Sequence, residues 1–326
     1  MKLKTKRQRG IALITILMIL AIMVTIATTM TGRMTSSLLR TEGLNFSQKV
    51  YWYGQASVEF SRMILNNDLA DSDIISLDQI WATPDMVFPV DEGTISGSLK
   101  DYRSCFNVNA LAVADKDGVR ALPVVQFQTL LEALDVEEYI AEVIAESTRD
   151  WIDENDAEDA SQGGEDRVYE ARSVSYLTAN NLMVDISELR AVQGVTGKIF
   201  ERIKPYLCAL PVSEQLINVN TVTVEQSDIL YALFKPELSF TEEEFADLLQ
   251  DRPTSGWEST AKFLESDLFS GRSVPEEIKA QLSVTSEFFE LYGVAEFQQR
   301  LMALKLLFKI ENKKATTIRF QYAGIE

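Results

Sequence analysis

The most pronounced pattern in the chain is an uncharged apolar run near its beginning. It extends from Gly10 to Gly32, consists of aliphatic residues, Met and Thr, and has Arg9 and Arg33 as its nearest charges. Because about 20 apolar residues cross a bilayer as a helix, this run predicts one membrane span. Five Lys or Arg and no acid precede it, which predicts a cytoplasmic leader and an outward-facing remainder.

A helical pattern continues beyond the span. Proline is absent before Pro84, and apolar residues recur largely at steps of three and four, at Leu38, Leu39, Val50, Tyr53, Ala56, Phe60 and Ile64. This predicts one helix from Ile11 to about residue 65, roughly 80 Å long, which stops at Asn66-Asn67-Asp68. Its first half would lie in lipid or in a filament core, and its second half would pack on a globular head.

Strand patterns occur in two separate places. Residues 68–92 are interpreted as a connecting segment with a short helix near 77–81, and residues 94–102 alternate as an exposed strand does. Near the end of the chain, segments 288–294, 301–310 and 316–322 predict a three-strand meander with turns at 293–296 and 311–314. A small antiparallel sheet interrupted by a long insertion follows from this order.

The insertion reads as helical and internally duplicated. Phe106-Asn-Val-Asn109 opens one half, and Ile217-Asn-Val-Asn220 opens the other 111 residues later. Each motif precedes an apolar helix, at 127–134 and 229–234, and then acidic helices that end near 150–151 and 251–252. The matches leave open whether the halves share ancestry or only an architecture.

Composition excludes several functions. Removing the five leader cations leaves 26 Lys or Arg against 49 Asp or Glu, a net charge of −23, which disfavours nucleic acid and anionic lipid as partners. The chain has no His, which removes the commonest general base and the usual transition-metal ligand. Cys105 and Cys208 follow the span, and an even pair in an oxidising compartment predicts a disulfide, with two buried thiols as the alternative.

Acidic residues are concentrated between Glu132 and Glu170, a stretch that contains fifteen Asp or Glu and only two Arg. A solvated helix face is the ordinary interpretation of such a run. Here, however, the carboxylates of residues 150–169 bracket the turn Gly163-Gly164, so that two arms of one loop can converge. Converging carboxylates repel unless a cation lies between them, and hard oxygen ligands suit calcium, although the spacing does not fit an EF-hand.

Two other motifs have structural interpretations. Residues 189–203 contain Val192-Gln-Gly194-Val195-Thr-Gly197 between two helical segments, a helix-hairpin-helix pattern that elsewhere binds DNA phosphates. The net charge and the outward topology favour a turn that packs on a core. Asp115-Lys116-Asp117-Gly118 is interpreted as a turn, because no suitably spaced Glu completes a calcium loop.

The basic leader, Gly10 and the apolar run that begins at Ile11 together resemble the class III signal of type IV pilins and type II secretion pseudopilins. This resemblance implies cleavage after Gly10 by a prepilin peptidase and methylation of the new terminus at Ile11. An uncut signal anchor is the alternative. Most members carry Glu at the fifth position after the cut, where this chain has Thr15. A carboxylate in a bilayer is costly, so its absence predicts a subunit that lacks one of the usual neighbour contacts.

The whole chain resembles the general secretion pathway protein K family, of which the Thr15 departure is also typical. The resemblance rests on Asp150-Trp-Ile-Asp153, Gly164-Glu-Asp166 with Tyr169, residues 187–196, and Ile217-Asn-Val-Asn-Thr221. It implies an α+β fold in which a pilin-like long N-terminal helix and a small antiparallel sheet are interrupted by a large all-α insert of two SAM-like halves. It also implies calcium in the acidic loop, carried by position onto Asp153, Asp156, Glu165 and Asp166.

The resemblance divides the chain into a leader, a span, a pilin-like helix with the first strands, two helical halves and the remaining strands: 1–10, 11–32, 33–104, 105–216, 217–283 and 284–326. It implies a non-enzymatic minor pseudopilin of the inner membrane with its head in the periplasm, placed at the pseudopilus tip. Other minor pseudopilins, the prepilin peptidase and the inner-membrane secretion platform would be its partners. The alternatives are a minor pilin of a type IV pilus, and an unprocessed membrane-anchored calcium-dependent binding protein or hydrolase.

Overall fold

The computed structural model describes residues 11–91, 93–115, 119–157, 162–297 and 300–323. The predicted cleavage point at Gly10 and most of the predicted turn at 115–118 lie outside these ranges. The chain begins with one long helix and two strands: α1 (Ile11–Asp71), β1 (Met86–Val90) and β2 (Gly93–Asp101). The predicted short helix near 77–81 appears as the 3₁₀ turn Ile80–Ala82.

The insertion follows β2 in two halves. The first half contains β3 (Phe106–Asn107), α2 (Leu122–Ala133), α3 (Glu138–Ile152), α4 (Asp166–Glu170), α5 (Gly197–Ile203) and β4 (Leu207–Cys208). The second half contains β5 (Ile217–Asn218), α6 (Ser227–Phe234), α7 (Glu242–Gln250), α8 (Thr260–Leu264), α9 (Glu276–Lys279) and β6 (Leu282–Ser283). The chain then returns to the sheet as β7 (Phe288–Phe297), β8 (Arg300–Glu311) and β9 (Lys314–Ala323).

Helix α1 has 61 residues and is roughly 90 Å long. The predicted end near residue 65 is wrong, because the polar residues there accept tertiary hydrogen bonds instead of capping the helix. The side chain of Asn66 accepts from the Ala315 N–H at 2.8 Å, and that of Asp68 accepts from the Trp81 N–H at 2.8 Å. Leu65 and Leu69 are buried, so the last turns continue along the core.

Five strands form the sheet in the order β1-β2-β7-β8-β9, and every neighbouring pair is antiparallel. The predicted turn at 293–296 is wrong, since β7 continues to Phe297, which pairs with Gly93. Strand β1 was predicted only as part of a connecting segment. It carries Pro89 and lies at the sheet edge, where proline is tolerated but the strand pattern is weak.

The second half of α1 packs across this sheet. A side chain at Gly54 would put its Cβ 3.0 Å from Leu304, so the helix and the strands approach closely there. The core beneath contains Val58, Leu65, Trp81, Phe289, Leu304 and Phe308. The predicted architecture of a long helix and a small antiparallel sheet with an insertion is therefore confirmed, and the fold is α+β.

The two halves of the insertion repeat one backbone arrangement. Each contains a short parallel strand pair, β3 with β4 and β5 with β6, so the insertion is helical but not purely so. Asn109 binds both backbone groups of Met183, at 2.8 Å each. Asn220 likewise binds both backbone groups of Trp257, at 3.0 and 2.7 Å. The two Asn-Val-Asn motifs therefore make equivalent contacts in the two halves.

A disulfide joins Cys105 and Cys208, with their Cα atoms 5.8 Å apart and both side chains buried. Cys105 comes just before β3, and Cys208 is the last residue of β4. The bond therefore ties together the two ends of the first half of the insertion.

Replacing both cysteines, as Cys105→Ala with Cys208→Ala, should destabilise the head by about 2 to 5 kcal/mol, because the closed loop spans 103 residues. Denaturant unfolding of the full chain in detergent measures this. A single Cys105→Ala variant should behave similarly, and an unchanged unfolding midpoint in the double variant would contradict the account.

Candidate functional site

The first part of α1 is exposed along its whole surface. Among the described residues, α1 is the one helix long and apolar enough to cross a membrane. Threonines in this stretch bond within the helix: the Thr15 hydroxyl donates to the Ala12 carbonyl at 2.9 Å, and the Thr25 hydroxyl to the Ile22 carbonyl at 2.8 Å. Because these hydroxyls are satisfied locally, Thr15 needs no partner in lipid, whereas a Glu at that position would.

Three carboxylates converge in the first half of the insertion. Asp150 lies in the last turn of α3, Asp153 is the residue that ends this helix, and Glu165 immediately precedes α4. One carboxylate oxygen from each lies within 4.8 Å of the other two. The two helix ends therefore bring the arms of the acidic loop together, as the Gly163-Gly164 turn predicts.

Two of these three carboxylates are shielded from solvent, and Asp153 is half-buried. Asp150 is 0 % exposed and Glu165 is 3 % exposed. The Oε1 atom of Glu165 is buried and has no hydrogen-bond partner within the described parts of the chain. Burial raises the pKa of Glu165 to about 7, and the charge of Asp153 adds to the increase. A carboxylate held in this way is stabilised most simply by a cation.

The structure brings together two of the four predicted ligands, Asp153 and Glu165. Asp166 instead binds Thr178, since its Oδ1 accepts from the N–H and the hydroxyl of that residue, at 2.9 and 2.6 Å, and these bonds lower its pKa. Asp156 accepts from the Asn180 side-chain amide at 2.7 Å. Neither belongs to the converging group, although both charges act on Glu165.

Asp150 joins the group although it was not among the predicted ligands. It lies three residues before Asp153, a spacing that places two side chains on the same side of a helix. That spacing was visible in the sequence, but a single acid within an acidic helix gives no sign that it points inward.

The donor set fits a hard divalent cation. Asp150, Asp153 and Glu165 offer carboxylate oxygens within reach of one ion, which is the chemistry that calcium prefers. Gly164, the residue before Glu165, packs closely against Gln193 and Ser147. A Cβ at Gly164 would meet the Gln193 side-chain oxygen at 2.5 Å and the Ser147 hydroxyl at 3.1 Å. This close packing holds one arm of the loop near the end of α3.

The helix-hairpin-helix motif packs on the same half. Gly194 has a φ of +83°, and a Cβ there would lie 2.9 Å from Ile144 of α3. Leu189, Val192, Phe200 and Ile203 are buried in the surrounding core. These contacts support the interpretation of the motif as a packing turn.

A long apolar helix packed on a small antiparallel sheet, with a large helical insertion in that sheet, defines a class: a single-pass, pilin-like subunit with an enlarged head. Family profiles described as "Type II secretion system (T2SS), protein K" match residues 104–212 and 217–285. The chain belongs to this protein K family, and the family predicted from its motifs is confirmed.

Relatives that align over nearly the whole chain support this assignment. The type II secretion system protein K of Aeromonas hydrophila is 36% identical and covers 98% of this chain and 99% of its own. That of Pectobacterium carotovorum subsp. carotovorum is 37% identical over 98% of this chain and 97% of its own. A chain in the crystal structure of the GspK-GspI-GspJ complex from enterotoxigenic Escherichia coli is 35% identical, with a TM-score of 0.80, and covers 88% of this chain and 100% of that chain.

Proposed function

We propose that this chain is the minor pseudopilin at the tip of a type II secretion pseudopilus, where it helps to start assembly and thereby the export of folded proteins across the outer membrane. The observation that carries the proposal is the combination of an exposed stem helix and an oversized head. The stem can join a bundle of similar stems in the inner membrane, and the head lies in the periplasm, where its disulfide persists.

The size of the head favours the end of a filament. The insertion has its own hydrophobic core, separate from the core under the sheet. A subunit of this width is difficult to repeat along a narrow fibre. Thr15 agrees with this position, because a terminal subunit does not need the carboxylate that would contact a neighbour.

The proposed partners are two other minor pseudopilins, equivalent to those in the GspK-GspI-GspJ complex of the relative. Trp52 and Met63 of α1 are 66 % and 50 % exposed. At about 100° per residue both lie opposite Gly54, which faces the sheet, so they offer apolar contacts to a neighbouring stem. The prepilin peptidase and the inner-membrane platform would act on the stem before and during assembly. The proposed role is structural and requires no catalysis by this chain.

Deleting the gene should abolish secretion of folded substrates and leave twitching motility intact in a host that has both machines. Re-expression of the full chain should restore secretion, and the tagged chain should co-purify with the other minor pseudopilins from detergent extracts. The reverse pattern, with lost motility and normal secretion, would identify a type IV minor pilin instead.

We further propose that Asp150, Asp153 and Glu165 hold a calcium ion, with Asp156 and Asp166 adding negative charge nearby. Bound calcium would neutralise the mutual repulsion of the three carboxylates and fix the acidic loop against the end of α3. The ion would thus stabilise the first half of the insertion and have no chemical step to perform.

Calcium should raise the melting temperature of the full chain in detergent relative to chelator. At a calcium concentration of 100 times the Kd, bound calcium should add about 2.7 kcal/mol to the free energy of unfolding. Glu165→Gln should lose this shift, and in chelator at pH 8 it should be no less stable than the wild type, since one buried charge is removed. Glu170→Gln, an exposed change at the end of α4, is the matched control and should keep the shift. Equal melting of the wild type in chelator and in millimolar calcium would refute the site.

A further inference from the structure

One long irregular segment follows the acidic loop. Residues 171–185, here called the strap, connect α4 to the 3₁₀ turn Ile186–Ala191 and contain no helix or strand. Connections of this length without secondary structure are uncommon in compact domains and are usually either functional or linker segments. The strap is held mainly through side chains, so the partners of those side chains determine where it lies.

The strap is attached to the acidic loop at several points. The Thr178 N–H and hydroxyl donate to Asp166, the residue next to Glu165. The Thr178 hydroxyl also lies 3.5 Å from the Oε2 atom of Glu165. Asn180 donates its side-chain amide to Asp156 and its backbone N–H to the carbonyl of Trp151, which lies between Asp150 and Asp153. Any shift of the two loop arms therefore reaches the strap directly.

The other end of the strap is attached to the pilin-like sheet. The Arg319 guanidinium of β9 donates to the carbonyl of Val184. The Lys305 ammonium of β8 lies 3.5 Å from the Asp185 carboxylate. Glu290 of β7 holds both cations, at 3.0 Å from Lys305 and 3.6 Å from Arg319. Between the two ends, Asn109 fixes both backbone groups of Met183.

We propose that the strap couples cation occupancy of the acidic loop to the β8–β9 edge of the sheet. This inference rests on the calcium site proposed above. With calcium bound, Glu165 and the end of α3 are fixed, and Thr178 and Asn180 find their acceptors in place. Without it, the three carboxylates repel, the arms separate, and the strap loosens from the loop towards Met183 and Asp185.

The coupling must act in both directions, because an effect of calcium on the strap–sheet contacts implies an equal effect of those contacts on calcium affinity. At the sheet, the coupling acts on the edge strand β9, whose Ile318, Phe320 and Tyr322 are partly exposed. Calcium would therefore determine how firmly the β9 edge is held against the insertion.

The first test compares calcium affinities of full-length variants in detergent by isothermal titration. Arg319→Ala removes the bond to Val184 and should raise the calcium Kd by about fivefold or more, the lower range of typical coupling. Lys309→Ala is the matched control, since Lys309 lies in β8 but pairs with Glu311 at 2.9 Å, and it should leave the Kd unchanged. Equal affinities for the two variants would overturn the coupling.

The second test needs no substitution. Hydrogen exchange of the wild type should show that calcium protects the strap and the neighbouring amides of β9, while α6 and α7 in the second half exchange alike in calcium and in chelator. Saturable calcium binding with protection confined to residues 150–166 would overturn the strap inference and leave the metal site standing. No saturable binding to the wild type would overturn the metal site, and the strap inference with it.

Discussion

The buried carboxylate of Asp101 holds the point where the insertion leaves the sheet and returns to it. It accepts from the Arg103 N–H at 2.7 Å, the Asn218 side-chain amide at 2.9 Å and the Thr221 hydroxyl at 2.6 Å. Burial raises its pKa, and these hydrogen bonds oppose the rise. Asp101 thereby ties the end of β2 to the start of the second half, at β5. Strand β5 pairs with β6, after which the chain returns to the sheet as β7, so both ends of the insertion lie close to this carboxylate.

Other contacts at this junction follow from the same constraint. The Tyr102 N–H donates to the Phe288 carbonyl at 2.9 Å, which continues the β2–β7 pairing by one residue. Arg103 is 1 % exposed and pairs with Glu287 at 2.8 Å, just before β7. The disulfide adds a covalent tie a few residues further on. The sheet therefore stays continuous, and the insertion, which has its own core, is joined to it through the chain at this one corner.

The sequence predicted those features that arise from local periodicity. The long helix and the strands of the meander follow from the spacing of apolar residues, and the insertion follows from the gap between the first strand and the meander. The end of α1 was missed because Asn66 and Asp68 bind strands and loops far away in the sequence. Strand β1 was missed because it has no alternation and contains Pro89.

The candidate site likewise combines local features that the sequence predicts with contacts between distant residues that it does not. The acidic loop and its Gly-Gly turn are local features, and they indicated the place. Which carboxylates converge depends on residues of the strap. Thr178 donates hydrogen bonds to Asp166 and Asn180 donates one to Asp156, whereas Asp150 converges with Asp153 and Glu165. No spacing rule within residues 150–169 contains that information.

If α1 is the stem of a processed pseudopilin, as we propose, the intact mass and N-terminal sequence of the protein purified from its own membrane will show it most directly. We expect a chain that begins at Ile11 and carries one added methyl group. A chain that retains Met1, in cells whose other pilin-like proteins are processed, would contradict the claim and make the head an ordinary anchored domain.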